Sequence, residues 1–527
     1  MLEAFLHLPH VAAVAALAGV ALLVWVLYSI TKPSKLPDMP VVGLKEGQWF
    51  AMLRAAWRNN INMKATLKDS YTKYSSKGQA VLMPLLSGNA IILPSSDAQW
   101  LANAPESQVS AHALVLEVFQ FAYTIRDQDL INRPVHHNLI VTTLTKQVQN
   151  LVPDVMDEVQ FQVNQQWGTD TNKWREVPVY GSMHRVISCV TNRVFVGLPT
   201  CRNPDLTYHA QRYALFVPLG AYVLRCTASW LKPIVGRLIG LYGRWHTYKY
   251  REILMPVVEQ RLREHDARRA DPEARKTEPN DFLEWSIKQA EELGDPSLST
   301  PQKLAERLLA LNFAAIHTTS LAITGAIVEI VCNNKQEYID EIREEISSVL
   351  AGHGGEWNKT SLAKMHKVDS TLREAMRLNS FVVLGLGRKV KAKEGIDSPS
   401  GVHLPYGLTV AVPGYARMND KGVWGEDGDQ FKPFRFAEQR ADESVGYVER
   451  ARKSYPTTDK DYLAFGHGRN ACPGRFFAAT EVKLIFAYAV MNYDFKIETE
   501  KPADTFFGVL RVAPMTKKVW VRRREKS

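Results

Sequence analysis

The chain has 527 residues and a formal net charge of +10, with 46% hydrophobic and 23% charged residues, a balance that excludes a disordered or fibrous protein and leaves ample material for a core. Its basic residues are spread thinly, without a compact cluster interleaved with aromatics, which excludes nucleic acid and leaves an acidic protein or an anionic membrane surface as partner. Five cysteines, an odd number without metal-site spacing, argue against a disulfide framework and for a reducing compartment.

Residues 11–30 carry no charge, and as a helix they would reach about 30 Å, the thickness of a bilayer's hydrocarbon core. The run is longer than the apolar part of a cleaved signal and lacks a basic leader, so a membrane span is expected. Lys32 and Lys35 follow it while Glu3 precedes it, which places the rest of the chain in the cytosol. Pro33, Pro37 and Pro40 make a stiff linker. The expected organisation is an N-terminal segment 1–30 with the span, a proline-rich linker 31–46, and one catalytic domain 47–527.

Helices are expected over 47–60 and 62–74, then a hairpin of 80–86 and 89–94 turning at Ser87-Gly88. From 97 to about 270 the pattern is mostly helical. Phe119, Phe121 and Tyr123 sit in a stretch whose aromatics read equally as core or as a substrate-facing loop. Residues 215–241 are apolar apart from Arg225, Lys232 and Arg237, which suits dipping into a bilayer surface; Pro218, Gly220, Pro233 and Gly236 argue against a second span. Residues 267–280 form a charged loop in which no function is read.

Thr300 and Pro301 start a helix that runs to about Cys332. Its middle, Phe313-Ala314-Ala315-Ile316-His317-Thr318-Thr319-Ser320, offers small residues against which a flat cofactor could lie, and hydroxyls that need partners. A helix over 362–378 puts Glu374 and Arg377 one turn apart. Strands follow at 389–392 and 408–412.

Near the end comes Phe465-Gly466-His467-Gly468-Arg469-Asn470-Ala471-Cys472-Pro473-Gly474-Arg475, before a helix over 476–490. A thiolate at Cys472 would gain from the helix N-terminus and from Arg469 and Arg475, so a lowered pKa is expected. The Gly466-x-Gly468-x-x-Ala471 spacing also looks like a dinucleotide fingerprint, but no βαβ unit surrounds it. A buried core thiol is the plainer fate of a cysteine.

Phe465, Gly468, Cys472 and Gly474 resemble the haem-ligand loop of the cytochromes P450. The resemblance implies a mainly α fold with small β regions, haem b as cofactor, and Cys472 as the axial ligand of its iron. Phe465, Gly468, Arg469, Arg388 and Ala314 would then surround the haem, and Asn470 stands where the family places a basic residue for a propionate. Thr318, with His317 in the family's acidic position, would hydrogen-bond dioxygen and deliver protons; a core histidine is the competing reading of His317. Glu374, Arg377 and Arg435 match a buried structural cluster. Phe121, Phe313, Val382, Val383 and Val509 are substrate-facing candidates, the last on a terminal hairpin over 505–521. The family's early Trp and Arg over the haem are missing from 132–149, which offers His136, His137 and Lys146.

No flavin or nicotinamide motif is visible, so the resemblance implies electrons from an NADPH-cytochrome P450 reductase, with cytochrome b5 as a second donor. The location implied is the endoplasmic reticulum membrane. The function implied is a monooxygenase acting on a lipophilic fungal secondary metabolite, a terpenoid or terpenoid–polyketide hybrid, similar to the ent-kaurene oxidase and gibberellin-synthase branch. An isomerase or dehydratase that keeps the thiolate without using dioxygen, and a non-enzymatic haem sensor, are the alternatives.

Overall fold

A computed structural model describes residues 38–45, 47–270, 278–503 and 505–525. The expected span at 11–30 and most of the linker lie outside the described residues, as does the middle of the charged loop at 267–280. The fold is helical, with four small sheets.

One 31-residue helix, Pro301–Val331, crosses the molecule, as expected from its start and stop signals. Thr300 caps it by accepting the Lys303 N–H at 3.4 Å, and Pro301 opens its first turn. It is apolar and long enough to cross a membrane, yet 67% of its most apolar window is buried inside the protein. It is therefore the core helix, packed against Val179–Val196, the two roof helices Pro204–Cys226 and Lys232–Ala270, His366–Leu378 and Arg475–Asn492.

The largest sheet runs in the order Val81–Met83, Ala90–Ile92, Thr409–Val412, Gly385–Val390, Val109–Ser110. The expected hairpin is its outer pair, with Leu82 opposite Ile91. A second core, including Val42, Met63, Leu67 and Val383, lies beneath it.

Three expected elements differ. The helix expected over 362–378 is two helices, Lys359–Lys364 and His366–Leu378. The break is built: the half-buried Glu345 carboxylate accepts the Lys367 and Val368 N–H groups at 2.7 and 3.0 Å, capping a fresh helix start that the local sequence does not announce. The stretch 215–241 is split between the two roof helices by residues 227–231, and Pro218 is carried inside the first of them. Leu219, Val223, Trp230, Ile234 and Leu238 point outward and are exposed. The terminal hairpin is only Thr505–Phe507 against Leu510–Val512. Lys518–Arg523 instead joins Arg175–Pro178 and Tyr493–Phe495 in a separate sheet.

Candidate active site

The Cys472 loop is held open by its glycines and closed by one strong bond. Gly466 and Gly468 have φ of 70° and 72°, in the left-handed region that a side chain resists. At Gly468 a Cβ would also stand 2.7 Å from the Ala102 carbonyl oxygen. The Cys472 N–H donates to the Phe465 carbonyl at 2.7 Å, and the Phe465 ring packs edge-on against Tyr455. Arg475 begins the following helix and folds its guanidinium back onto the Cys472 carbonyl at 2.9 Å.

Cys472 is solvent-accessible although the helix after it is buried along most of its length. Its thiol pKa is raised, not lowered as expected: although one side is open to solvent, the protein atoms crowded round the sulfur desolvate it, and this outweighs the Gly474 N–H and Arg475, which pull the pKa down. Arg469 is exposed and takes no part in that balance. Ionisation of the sulfur is therefore left to a bound cation, because metal coordination deprotonates a thiol outright.

On the central helix Ala314 is exposed, while Asn312, Ile316, Thr319 and Ser320 around it are buried. An exposed methyl in the middle of a buried helix marks a wall of open space. The Thr318 hydroxyl donates back to the Ala314 carbonyl at 2.9 Å, a bond that competes with the helix ladder and loosens it there. His317 turns the other way. Its Nδ1 meets the Tyr180 hydroxyl at 2.9 Å and its ring stacks on His184 with centroids 4.7 Å apart. Burial lowers its pKa to about 4 and that of His184 to about 3, and raises that of Tyr180 to about 12. Tyr180 is thus the donor, His317 Nδ1 the acceptor, and the imidazole proton resides on Nε2.

Arg388 is 4% exposed, and its Nε and Nη2 have no hydrogen-bond partner; only Nη1 is engaged, with the Gly387 carbonyl at 2.9 Å. Burial lowers its pKa, and Glu106 alone opposes the shift. Two orphaned guanidinium nitrogens are what a propionate would satisfy. Glu106 also accounts for Asn470. The Asn470 amide donates to Glu106 Oε1 at 2.9 Å, so this position engages a protein carboxylate. Glu106 was not visible in the sequence as a site residue, and only its spatial proximity reveals it.

A haem fits this set of residues: an accessible sulfur at a helix start, glycines that keep the backbone low, a small-residue wall and an unpaired arginine. Cys472 would ligate the iron, Arg388 would hold a propionate, and Ala314 would face the ring.

Glu374, Arg377 and Arg435 come together as expected. Glu374 accepts from Arg377 Nε and Nη2 at 2.8 Å each, from Arg435 Nε at 3.0 Å and from the Lys432 N–H at 3.2 Å. Phe121 and Phe313 meet at 6.3 Å between ring centroids, with Phe119 5.1 Å from Phe313. Val382 is 40% exposed and bridges to Leu510, and Val509 is half-buried. Val383 is fully buried in the second core, so it is packing and does not face substrate; alternation along the extended backbone turns it away from Val382. His137 and Lys146 are exposed, whereas His136 is half-buried near Arg307.

The cytochrome P450 family profile matches residues 133–519. Cytochrome P450 monooxygenase 103 of Postia placenta is 32% identical over 465 residues, covering 87% of this chain and 88% of that protein. Cytochrome P450 monooxygenase 151 of the same fungus is 34% identical over 427 residues, covering 81% and 82%. Cytochrome P450 monooxygenase gloP of Glarea lozoyensis is 29% identical over 497 residues, covering 92% and 90%. With the sulfur, the glycine loop, the Thr318 wall and the buried glutamate–arginine cluster all in place, the chain belongs to the cytochrome P450 family of haem-thiolate monooxygenases.

Proposed function

We propose that the protein is a membrane-anchored fungal monooxygenase that hydroxylates, or further oxidises, a lipophilic secondary metabolite of terpenoid or terpenoid–polyketide type, using haem b. The observation that carries the reading is an accessible Cys472 sulfur in a chain that also buries a guanidinium, Arg388, with its Nε and Nη2 unpaired. Electrons come from NADPH-cytochrome P450 reductase, with cytochrome b5 as an auxiliary donor; the net charge of +10 favours acidic partners. The expected span at 11–30 and the exposed Leu219, Val223, Trp230, Ile234 and Leu238 support attachment to the endoplasmic reticulum membrane with the catalytic domain in the cytosol.

Haem held by Cys472, when bound, would supply dioxygen activation. The protein residues supply the rest. Phe119, Phe121 and Phe313 exclude water and present an apolar wall to the substrate. The Thr318 hydroxyl, with its proton turned onto the Ala314 carbonyl, presents its oxygen as a hydrogen-bond acceptor at that wall and becomes a donor only when that bond is released. His317, neutral at physiological pH and held by Tyr180 on the face away from that wall, is the relay that the resemblance implies.

The test is the carbon-monoxide spectrum of the reduced protein, together with turnover by reductase-supplied membranes. The expected outcome is the long-wavelength Soret band that names the family, lost in Cys472→Ala. Thr318→Ala should keep the band while diverting NADPH electrons to hydrogen peroxide. Retention of pigment and turnover in Cys472→Ala would overturn the reading.

A further inference from the structure

The roof of the site holds a charge imbalance. Glu117 lies on the short helix Ala111–Phe119, whose Phe119 packs on Phe313 of the central helix. This helix is apolar, yet none of its residues is fully buried, although it touches both the first roof helix and strand Gly385–Val390. Part of its apolar surface is therefore left uncovered by the protein. Three cations surround Glu117: Lys389, Arg225 and Lys232.

Glu117 is already taken. Its Oε2 pairs with Lys389 Nζ at 2.6 Å. Arg225, at the end of the first roof helix, is half-buried, and its Nε is buried with no hydrogen-bond partner. It makes no ion pair among the described residues, and neither does Lys232, which is half-buried at the start of the second roof helix. Burial lowers the pKa of both, and each is close enough for Arg225 to depress Lys232 further. Two adjacent cations, partly removed from water and sharing a carboxylate already committed elsewhere, are costly unless an anion joins them.

Arg225 faces inward. Leu219 and Val223, four residues apart, are the exposed stripe of the first roof helix, and Arg225 lies about 200° round the helix from Val223. Tyr222, one turn before Cys226, touches the hairpin tip, where a Cβ on Gly508 would stand 3.5 Å from its ring. Arg225 therefore sits between the roof, the hairpin and the helix that carries the aromatic wall.

We propose that Arg225 and Lys232 receive a carboxylate carried by the substrate, so that the enzyme acts on an amphiphilic acid held by its charged end while its apolar part lies along Phe119, Phe121 and Phe313. This rests on the monooxygenase reading and narrows its substrate class. Arg225 supplies the fork that matches a carboxylate, and Lys232 a second charge.

The test titrates the holoprotein with abietic acid and palmitic acid, each alongside its methyl ester, and reads the substrate-induced shift of the ferric Soret band. The acids are expected to bind at least about tenfold tighter than the esters. Arg225→Gln and Lys232→Gln should each cut the preference below about threefold, and Arg225→Lys should keep most of it. Equal binding of acid and ester, no shift with either acid, or a preference that survives in both glutamine variants overturns the proposal. The reduced carbon-monoxide spectrum, recorded on every sample, judges the haem reading separately: a normal spectrum without acid preference refutes this inference alone. Flotation with phosphatidylcholine vesicles, with and without phosphatidylserine, is the other arm. If Arg225→Gln weakens only the phosphatidylserine-dependent binding, the anion is a lipid headgroup and the substrate proposal fails.

Discussion

Replacing Glu374 by Gln tests whether the buried cluster holds the fold together. Glu374 and Arg377 are both fully buried, and the carboxylate accepts four hydrogen bonds, three of them from guanidinium nitrogens. Arg435 would keep other partners, Asp427 Oδ1 at 2.8 Å and the Trp424 carbonyl at 3.0 Å. Arg377 would keep the Met418 and Gly428 carbonyls and at most the Gln amide oxygen, and its charge would be left without a counter-ion. Stranding one buried charge costs about 3–5 kcal/mol, a large part of a typical folding stability. Asp69→Asn is the control: Lys73 and Asp69 are also 2.8 Å apart, but exposed by 61% and 53%, and such pairs contribute under about 1 kcal/mol. The assay is the urea midpoint of haem-loaded protein, followed by tryptophan fluorescence. A Glu374→Gln loss no larger than that of Asp69→Asn would refute the reasoning.

Further outcomes follow from other buried or half-buried titratable groups. Glu481 is buried, with Oε2 unpartnered, and burial raises its pKa to about 8 against one bond from Thr191. The folded state thus keeps a proton the unfolded state releases, and stability falls as pH rises from the usual carboxylate range through about 8. Glu481→Gln should gain on the order of 3 kcal/mol near neutral pH and almost nothing near pH 4.5; equal pH slopes in the two proteins would contradict this. His317 titrates in the opposite sense. Its pKa of about 4 lies below its unfolded value, so its contribution is complete above the usual imidazole range and is lost as pH falls toward about 4. The unfolding midpoint of His317→Gln should fall less steeply over that interval than that of the parent, and parallel profiles would refute it. Arg388→Met removes a buried guanidinium with two unsatisfied nitrogens. It should stabilise the haem-free protein by about 1–3 kcal/mol while speeding haem transfer to apomyoglobin, and a transfer rate like the parent's would show that Arg388 does not grip the cofactor.

The parts of the fold legible in the sequence are those where local chemistry and tertiary role agree. Thr300-Pro301 announces the central helix, and the alternation around Ser87-Gly88 announces the first hairpin. Gly468 is required both by its positive φ and by the approach of Ala102. What escaped depends on partners distant in the chain. Glu345 breaks a helix by capping residues 22 and 23 positions later. Glu106 engages Asn470 from 364 residues away, and Tyr180 turns His317 toward the Val179–Val196 helix across a separation of 137. The thiol pKa departs from expectation because neighbouring charge is readable in a sequence, whereas desolvation by atoms from distant parts of the chain is not.

The Thr505–Phe507/Leu510–Val512 hairpin hangs between two strands of one small sheet, Tyr493–Phe495 before it and Lys518–Arg523 after it. Those strands are stitched to each other and to Arg175–Pro178, so both ends of the hairpin are moored independently of its tip. Gly508 and Val509 can then be exchanged, lengthened or shortened as a cassette without unpicking the scaffold. Such an arrangement lets a lineage of enzymes retune which molecules it accepts while its catalytic framework stays in place.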